Sequence, residues 1–161
     1  MNKAVFLDRD GVINNDYDNY YVYRPEDIML NPGIPELLRH LQQKGFLLIV
    51  ISNQGGISKG IYTQDDVERT NERIEQLLAS YQIKLDEIYY CPHYNITEKC
   101  ICRKPGTLMI EKAISRFNID KNVSYFIGDR DTDMDAGNNS GLKTIKVEAN
   151  QDMRPLINTI S

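Results

Sequence analysis

Carboxylates gather at two places in this chain, each directly after a short apolar run, and a hydroxyl with two amides follows a third. Asp8-Arg9-Asp10-Gly11 follows Ala4-Val5-Phe6-Leu7, and Gly128-Asp129-Arg130-Asp131-Thr132-Asp133 follows Val123 to Ile127. Ser52-Asn53-Gln54-Gly55-Gly56 follows Leu47 to Ile51, and a basic pair, Arg103-Lys104, precedes a helical pattern. Taken singly, each group is ordinary turn or cap chemistry. Brought together, they make a coherent reaction centre. Asp8 and Asp129 can hold a hard cation through oxygen, and magnesium suits such a site because it keeps waters and shares ligands with phosphate. Ser52 and Lys104 can bind phosphoryl oxygens, leaving Asp8 as a nucleophile. Asp10 can protonate a leaving oxygen and later activate water.

A second constellation is a metal-ligand set. Cys91-Pro92-His93 is followed six residues later by Cys100-Ile101-Cys102, so all three cysteines of the chain lie within twelve residues, beside one of its two histidines. Three thiolates and an imidazole complete a tetrahedral zinc shell with no open position, as structural zinc sites do. The alternative is incidental cysteines beside a surface histidine. Zinc would replace a missing hydrophobic core in the irregular stretch from Pro92 to Pro105 and brace Arg103 and Lys104. The odd count and tight clustering argue against a disulfide framework and point to a reducing, cytoplasmic setting. The other histidine, His40, falls in an amphipathic helical pattern and reads as structural.

The elements that must position these groups alternate. Five strand candidates, Ala4 to Leu7, Leu47 to Ile51, Ile88 to Tyr90, Val123 to Ile127 and Thr144 to Val147, are separated by helical patterns. Those patterns run over Pro35 to Lys44, from Thr63 through Leu78, over Leu108 to Phe117 and over Thr132 to Asn139, with a weak last turn near Met153 to Ile160. This order predicts an α/β fold, a doubly wound parallel sheet forming one domain over residues 1–161. In such sheets ligands bind outside the carboxyl ends of the strands, where the polar groups fall. Asn14 to Asn31 and Pro92 to Pro105 fit no regular element, and long irregular segments in a compact domain are usually functional or tied down.

Composition narrows the partners. The formal net charge of the 161 residues is -4, which argues against attraction to nucleic acid or an anionic membrane. No apolar run approaches a membrane span, and the acidic and basic residues after Leu7 interrupt any signal-peptide core. A monomer without nucleic-acid or membrane partners is the expectation.

The four polar groups, in this order, resemble the motifs of the haloacid dehalogenase-like phosphatases over nearly the whole chain. Asp-x-Asp-Gly appears as Asp8-Arg9-Asp10-Gly11, the hydroxyl as Ser52, the lysine as Lys104, and Gly-Asp-x-x-x-Asp as Gly128 to Asp133. The resemblance implies Asp8 as nucleophile, Asp10 as acid and base, magnesium on Asp8, Asp129 and the Asp10 carbonyl, and Asp133 as support behind them. It also implies that no large cap domain is present. The cysteine and histidine pattern is similar to the zinc-bearing subgroup of heptose bisphosphate and histidinol-phosphate phosphatases. Asn53-Gln54-Gly55-Gly56-Ile57-Ser58-Lys59-Gly60 looks more like the heptose members. This chain departs from those members in having Ser52 where Thr is frequent and Arg130 where Lys is frequent, which keeps hydroxyl and charge. The resemblance implies a small phosphorylated sugar as substrate, expected at Arg9, Asp16, Asn19, Asn53, Gln54, Gly55, Arg103 and Arg130, with Lys59 near the second phosphate and a tyrosine-rich flap between Asn14 and Arg24. Histidinol phosphate is the competing substrate. A non-catalytic zinc module and a nucleic-acid 3'-phosphatase are remoter alternatives, disfavoured by the intact acidic motifs and by the acidic charge.

Overall fold

The computed structural model describes residues 1–94 and 99–160. Five parallel strands form one sheet in the order β3-β2-β1-β4-β5: β1 (Ala4–Leu7), β2 (Leu47–Asn53), β3 (Glu87–Cys91), β4 (Tyr125–Gly128) and β5 (Lys143–Lys146). The apolar runs are continuous because helices cover both faces of the sheet. Alternation still sorts the side chains. Val5, Leu7, Leu48, Val50 and Ile127 face one way, into a core shared with Leu37, Leu38 and Leu41 of α1 (Ile34–Gln43) and Ile74 and Leu78 of α2 (Gln64–Ala79). Ala4, Phe6, Ile49, Ile51 and Phe126 face the other way, toward Met109, Ile110 and Ala113 of α3 (Leu108–Phe117) and Ala136 of α4 (Asp131–Asn139). Phe6 and Phe126 stack at 6.4 Å between ring centres.

β1 pairs with β2 on one side, Val5 opposite Leu48, and with β4 on the other, Val5 opposite Tyr125. The chain winds outward from β1 through β2 to β3, then returns to place β4 and β5 on the opposite side. The direction of winding therefore reverses at β1, which opens a crevice at its carboxyl end.

Local signals set the element ends. Thr63 and Asp66 form a reciprocal cap at the start of α2, Thr63 Oγ1 accepting from the Asp66 amide at 3.1 Å and Asp66 Oδ2 from the Thr63 amide at 2.9 Å. Val123, expected in the fourth strand, lies instead in a short 3-10 turn over Lys121–Val123. Asp120 caps that turn through the Asn122 amide, and the strand starts only at Tyr125. The weak C-terminal pattern is a 3-10 turn, Arg154–Asn158, with Met153, Leu156 and Ile160 buried in the α1 side of the core. Among the described residues no helix is long and apolar enough to cross a membrane.

Candidate active site

Asp8 continues the line of β1, its amide donating to the Ile127 carbonyl at 3.1 Å. Its carboxylate accepts from Lys104 Nζ at 2.8 Å. The Lys104 ammonium is buried and also donates to the Ile51 carbonyl at 2.8 Å and pairs with Asp133 Oδ1 at 2.7 Å. A residue 96 positions from Asp8 is held there by the end of β2. Asn53 accepts from the Lys104 amide at 3.0 Å and donates to the Lys104 carbonyl at 3.2 Å. Asn53 therefore clamps backbone while lining the cleft. Asp133, in the first turn of α4, uses its other oxygen to accept from the Arg130 amide at 3.1 Å. Gly128 gives Asp133 its space, because a Cβ there would collide with the aspartate side chain.

The electrostatics of this centre call for a cation. Oxygens of Asp8, Asp129 and Asp133 lie within 4.8 Å of one another. Burial raises the pKa of Asp8, Lys104 opposes this, and Asp133 and Asp129 raise it further, so that the group is pushed up to about 8. Burial also raises Asp129. Burial disfavours the Lys104 ammonium, but Asp8 and Asp133 outweigh that and hold its pKa above the ordinary lysine value. Among the described residues Asp129 Oδ1 is buried with no hydrogen-bond partner, an expensive state for a carboxylate oxygen. Gly11, at φ +89°, makes room for Asp129, since a Cβ would approach Asp129 Oδ2 to 2.7 Å. A divalent cation fits Asp8 and Asp129 best, because both oxygens of Asp133 already have partners.

Asp10 stands beside this centre. Its Oδ1 accepts from Arg9 Nε at 3.0 Å and Asn14 Nδ2 at 2.9 Å, and its Oδ2 from Gln54 Nε2 at 3.0 Å. Gln54 Nε2 also donates to Ser52 Oγ at 2.7 Å, and Gln54 Oε1 accepts from the Tyr62 hydroxyl at 2.7 Å. Three expected substrate contacts are placed otherwise. Arg9 is 1% exposed, with its guanidinium pointing toward α2 and away from the cleft. Gln54 reaches the cleft wall, but its amide is fully engaged. Asn19 is exposed and is not among the residues lining the cleft. Strand parity carried the signal for Arg9: continuing the alternation of Val5 and Leu7 sends residue 9 toward α2, opposite to Asp8 and Asp10.

The cleft has a volume of about 640 Å³. Asp8, Asp10 and Lys104 form its floor, and Asp16, Tyr20, Tyr21, Tyr94, Lys59, Lys99, Arg103 and Arg130 form its rim. The rim is braced internally. Lys59 donates to the Tyr21 hydroxyl at 2.7 Å and sits 3.9 Å over the Tyr94 ring, and Arg130 donates to the Tyr20 hydroxyl at 3.3 Å. Arg103 donates to the His93 carbonyl at 3.0 Å, passing so close to Gly55 that a Cβ there would come within 2.9 Å. Sequence reasoning missed Tyr94 and Lys99, although each directly flanks a metal-ligand candidate.

Cys91, His93, Cys100 and Cys102 converge on one point. Sγ of Cys91 is 3.4 Å from His93 Nδ1 and 3.6 Å from Cys100 Sγ, and His93 Nδ1 is 3.3 Å from Cys102 Sγ. These three separations are near those across a tetrahedral zinc shell, the sulfurs of Cys91 and Cys102 stand closer, at 2.8 Å, and the sulfur and nitrogen donor set suits that ion. Residues 95–98 of the same loop lie outside the described residues.

The comparisons with known proteins converge as well. A family model described as HAD-hydrolase-like matches residues 101–159. The chain is 40% identical over 148 residues to a D-glycero-beta-D-manno-heptose-1,7-bisphosphate 7-phosphatase of Haemophilus ducreyi, covering 88% of this chain and 80% of that one. It is 43% identical over 143 residues to a D-glycero-alpha-D-manno-heptose-1,7-bisphosphate 7-phosphatase of Campylobacter jejuni, covering 89% and 80%. A D,D-heptose 1,7-bisphosphate phosphatase from B. bronchiseptica, crystallised with magnesium and phosphate, superposes with a TM-score of 0.85 at 27% identity, over 97% of this chain and 86% of that one.

Proposed function

The chain belongs to the haloacid dehalogenase-like phosphatases, in the group of heptose-1,7-bisphosphate 7-phosphatases, and from that premise we propose that it removes one phosphate from a heptose 1,7-bisphosphate through an aspartyl-phosphate on Asp8. The observation that carries the reading is the contrast between floor and rim. The floor holds one nucleophile-bearing centre around Lys104, and the rim adds Lys59, Lys99, Arg103 and Arg130. A bisphosphate presents two dianions, and one centre holds only one of them.

In this reading a carboxylate oxygen of Asp8 attacks phosphorus, the bond to the sugar oxygen breaks, and Asp10 gives that oxygen its proton. Asp10 then takes a proton from water, whose oxygen attacks the same phosphorus and breaks the bond to Asp8. Lys104 and Ser52 hold the phosphoryl oxygens throughout, and Asp133 holds Lys104. Ser52 accepts from Gln54, which leaves its own proton for the phosphoryl group. Magnesium held by Asp8, Asp129 and the Asp10 carbonyl would neutralise charge on the phosphoryl oxygens and on Asp8. Zinc on Cys91, His93, Cys100 and Cys102 would tie down the loop that carries Arg103 and Lys104. At the rim Arg103 and Arg130 suit the second phosphate, since guanidinium groups bind phosphate in a bidentate fork. A thiol-rich metal site suits a reducing compartment, and we assign the protein to the cytoplasm on that ground.

The test is phosphate release against both anomers of heptose 1,7-bisphosphate, fructose 1,6-bisphosphate, histidinol phosphate and a 3'-phosphorylated oligonucleotide. A heptose anomer should give the highest kcat/KM, with one phosphate released and one retained. A higher value for histidinol phosphate would replace the substrate while leaving the chemistry in place.

A further inference from the structure

Arg9 and Gln54 are the two residues whose placement departs most from a substrate-binding role, and they meet at the same carboxylate. All three guanidinium nitrogens of Arg9 are engaged in the interior. Nε donates to Asp10 Oδ1, NH1 to Thr70 Oγ1 at 3.0 Å and Asn71 Oδ1 at 2.9 Å, and NH2 to the Val22 carbonyl at 2.7 Å while pairing with Asp10 Oδ1 at 2.9 Å. Gln54 is 2% exposed and grips the opposite oxygen. Its amide has one orientation available. The Tyr62 hydroxyl gives its proton to Oε1, and Tyr62 is itself fixed by stacking on Tyr23 at 5.4 Å. Nε2 faces Asp10 and Ser52, because an ionised carboxylate only accepts, whereas the Tyr62 hydroxyl can pair with either end of the amide.

Resting on the phosphatase reading above, we propose that Arg9 and Gln54 are positioning residues for proton transfer. They fasten the two oxygens of Asp10 from opposite sides, so that Oδ2 delivers the proton to the leaving oxygen. Oδ1 is saturated by Arg9 and Asn14. Oδ2 has Gln54 as its donor among the described residues and keeps a lone pair for the proton it carries. Turning the carboxylate would break both sets of bonds at once. Such a device acts on the step that needs a proton; Gln54 also donates to Ser52 Oγ, so Gln54→Met lowers kcat/KM for every phosphate ester to some extent, and the ratio between two esters reads the effect on Asp10.

Two substrates of nearly equal size separate these effects. Phenolate is about as basic as a tyrosinate, with pKa about 10, and leaves much better with a proton. The nitro group lets p-nitrophenolate leave without one. kcat/KM covers only the steps through loss of this first leaving group, so hydrolysis of the aspartyl-phosphate does not obscure the comparison. Gln54→Met keeps the length of the side chain without its donors, and Arg9→Lys keeps the charge without the fork. In each variant, loaded with magnesium and zinc, the preference in kcat/KM for p-nitrophenyl phosphate over phenyl phosphate should rise on the order of tenfold, a fraction of what a general acid contributes. An equal fall for both substrates, or a rise in KM confined to a sugar bisphosphate, overturns the proposal. If Arg9→Lys does not fold, Gln54→Met decides alone. Failure of Gln54→Met to fold also overturns the proposal, because the amide then serves the fold. Wild-type protein inactive on both aryl phosphates would sink the phosphatase reading instead, so the two failures are distinguishable.

Discussion

At the scale of the residue, Asp8 concentrates the chemistry. Its carboxylate is buried, touches Lys104 and stands within reach of two further carboxylates. Asp8→Asn nearly preserves shape and, in the proposed mechanism, removes the anionic nucleophile. Phosphatase activity should fall at least about a hundredfold, since a covalent step is lost rather than weakened. Melting should persist, which a thermal scan beside the assay will show. The raised pKa of Asp8 has a second consequence. In the metal-free protein its folded value, about 8, lies above its unfolded value. Its contribution to stability is therefore complete below the ordinary carboxylate range and is lost as pH rises through about 8. Magnesium binds the ionised form, so ion and proton compete. The rise in Tm on adding magnesium should thus grow from pH 5 to pH 8, measured in magnesium-free buffer without a chelator so that zinc is left in place. A magnesium effect that is constant over that range would show that Asp8 is already ionised without the metal.

At the scale of the element, the loop after β3 is the exposed dependency. Lys104 reaches the floor from a segment with few apolar anchors: Pro105 is exposed, and Ile101 is 76% exposed. Asn53 holds Lys104 from one side, and the sulfur-rich cluster, in the proposed zinc-bound form, would hold the segment just before it from the other. Purified protein should contain about one zinc per chain by elemental analysis. Cys100→Ser should lower Tm by at least about 5 °C and reduce activity without altering the Asp8 centre, because metal affinity here is folding free energy. Full activity in zinc-free protein would assign the cluster no part in placing Lys104. The start of α2 offers a smaller test. Thr63→Ala removes one half of a reciprocal cap and should cost about 1 kcal/mol in a denaturant titration, with activity kept.

At the scale of the whole molecule, both cores share one sheet. Val5 and Leu7 face α1 and α2 while Ala4 and Phe6 face α3 and α4, so β1 belongs to both cores. We propose that residues 1–161 form one cooperative unit and act as a monomer. Metal-loaded protein should unfold in a single transition, with fluorescence and circular dichroism coincident. Light scattering should give a mass near 18.6 kDa. Two separated transitions would place a boundary between the halves that flank β1.

The sequence by itself determined the ingredients and their order. Short runs such as Leu47 to Ile51 are apolar throughout only when both faces are buried, and alternation with helical patterns made the sheet parallel. Asp8, Ser52, Lys104 and Asp129 were legible because each type has specific chemistry and three of them stand at the carboxyl ends of apolar runs. The cysteines were legible because thiols cluster for few reasons. Orientation was legible only in part. Parity alone could have turned Arg9 from the cleft, but its partners Thr70 and Asn71 lie more than sixty residues away, on a helix whose rotation the packing of Ile74 and Leu78 sets. Gln54 has both donors and an acceptor, so its sequence position left open whether it met substrate, and Asp10, Ser52 and Tyr62, packed around it, decided. The unpartnered oxygen of Asp129 is likewise a property of the fold, because lacking a partner depends on everything packed around it. Residue type fixes what a group can do, and only long-range packing fixes which neighbour it does it to.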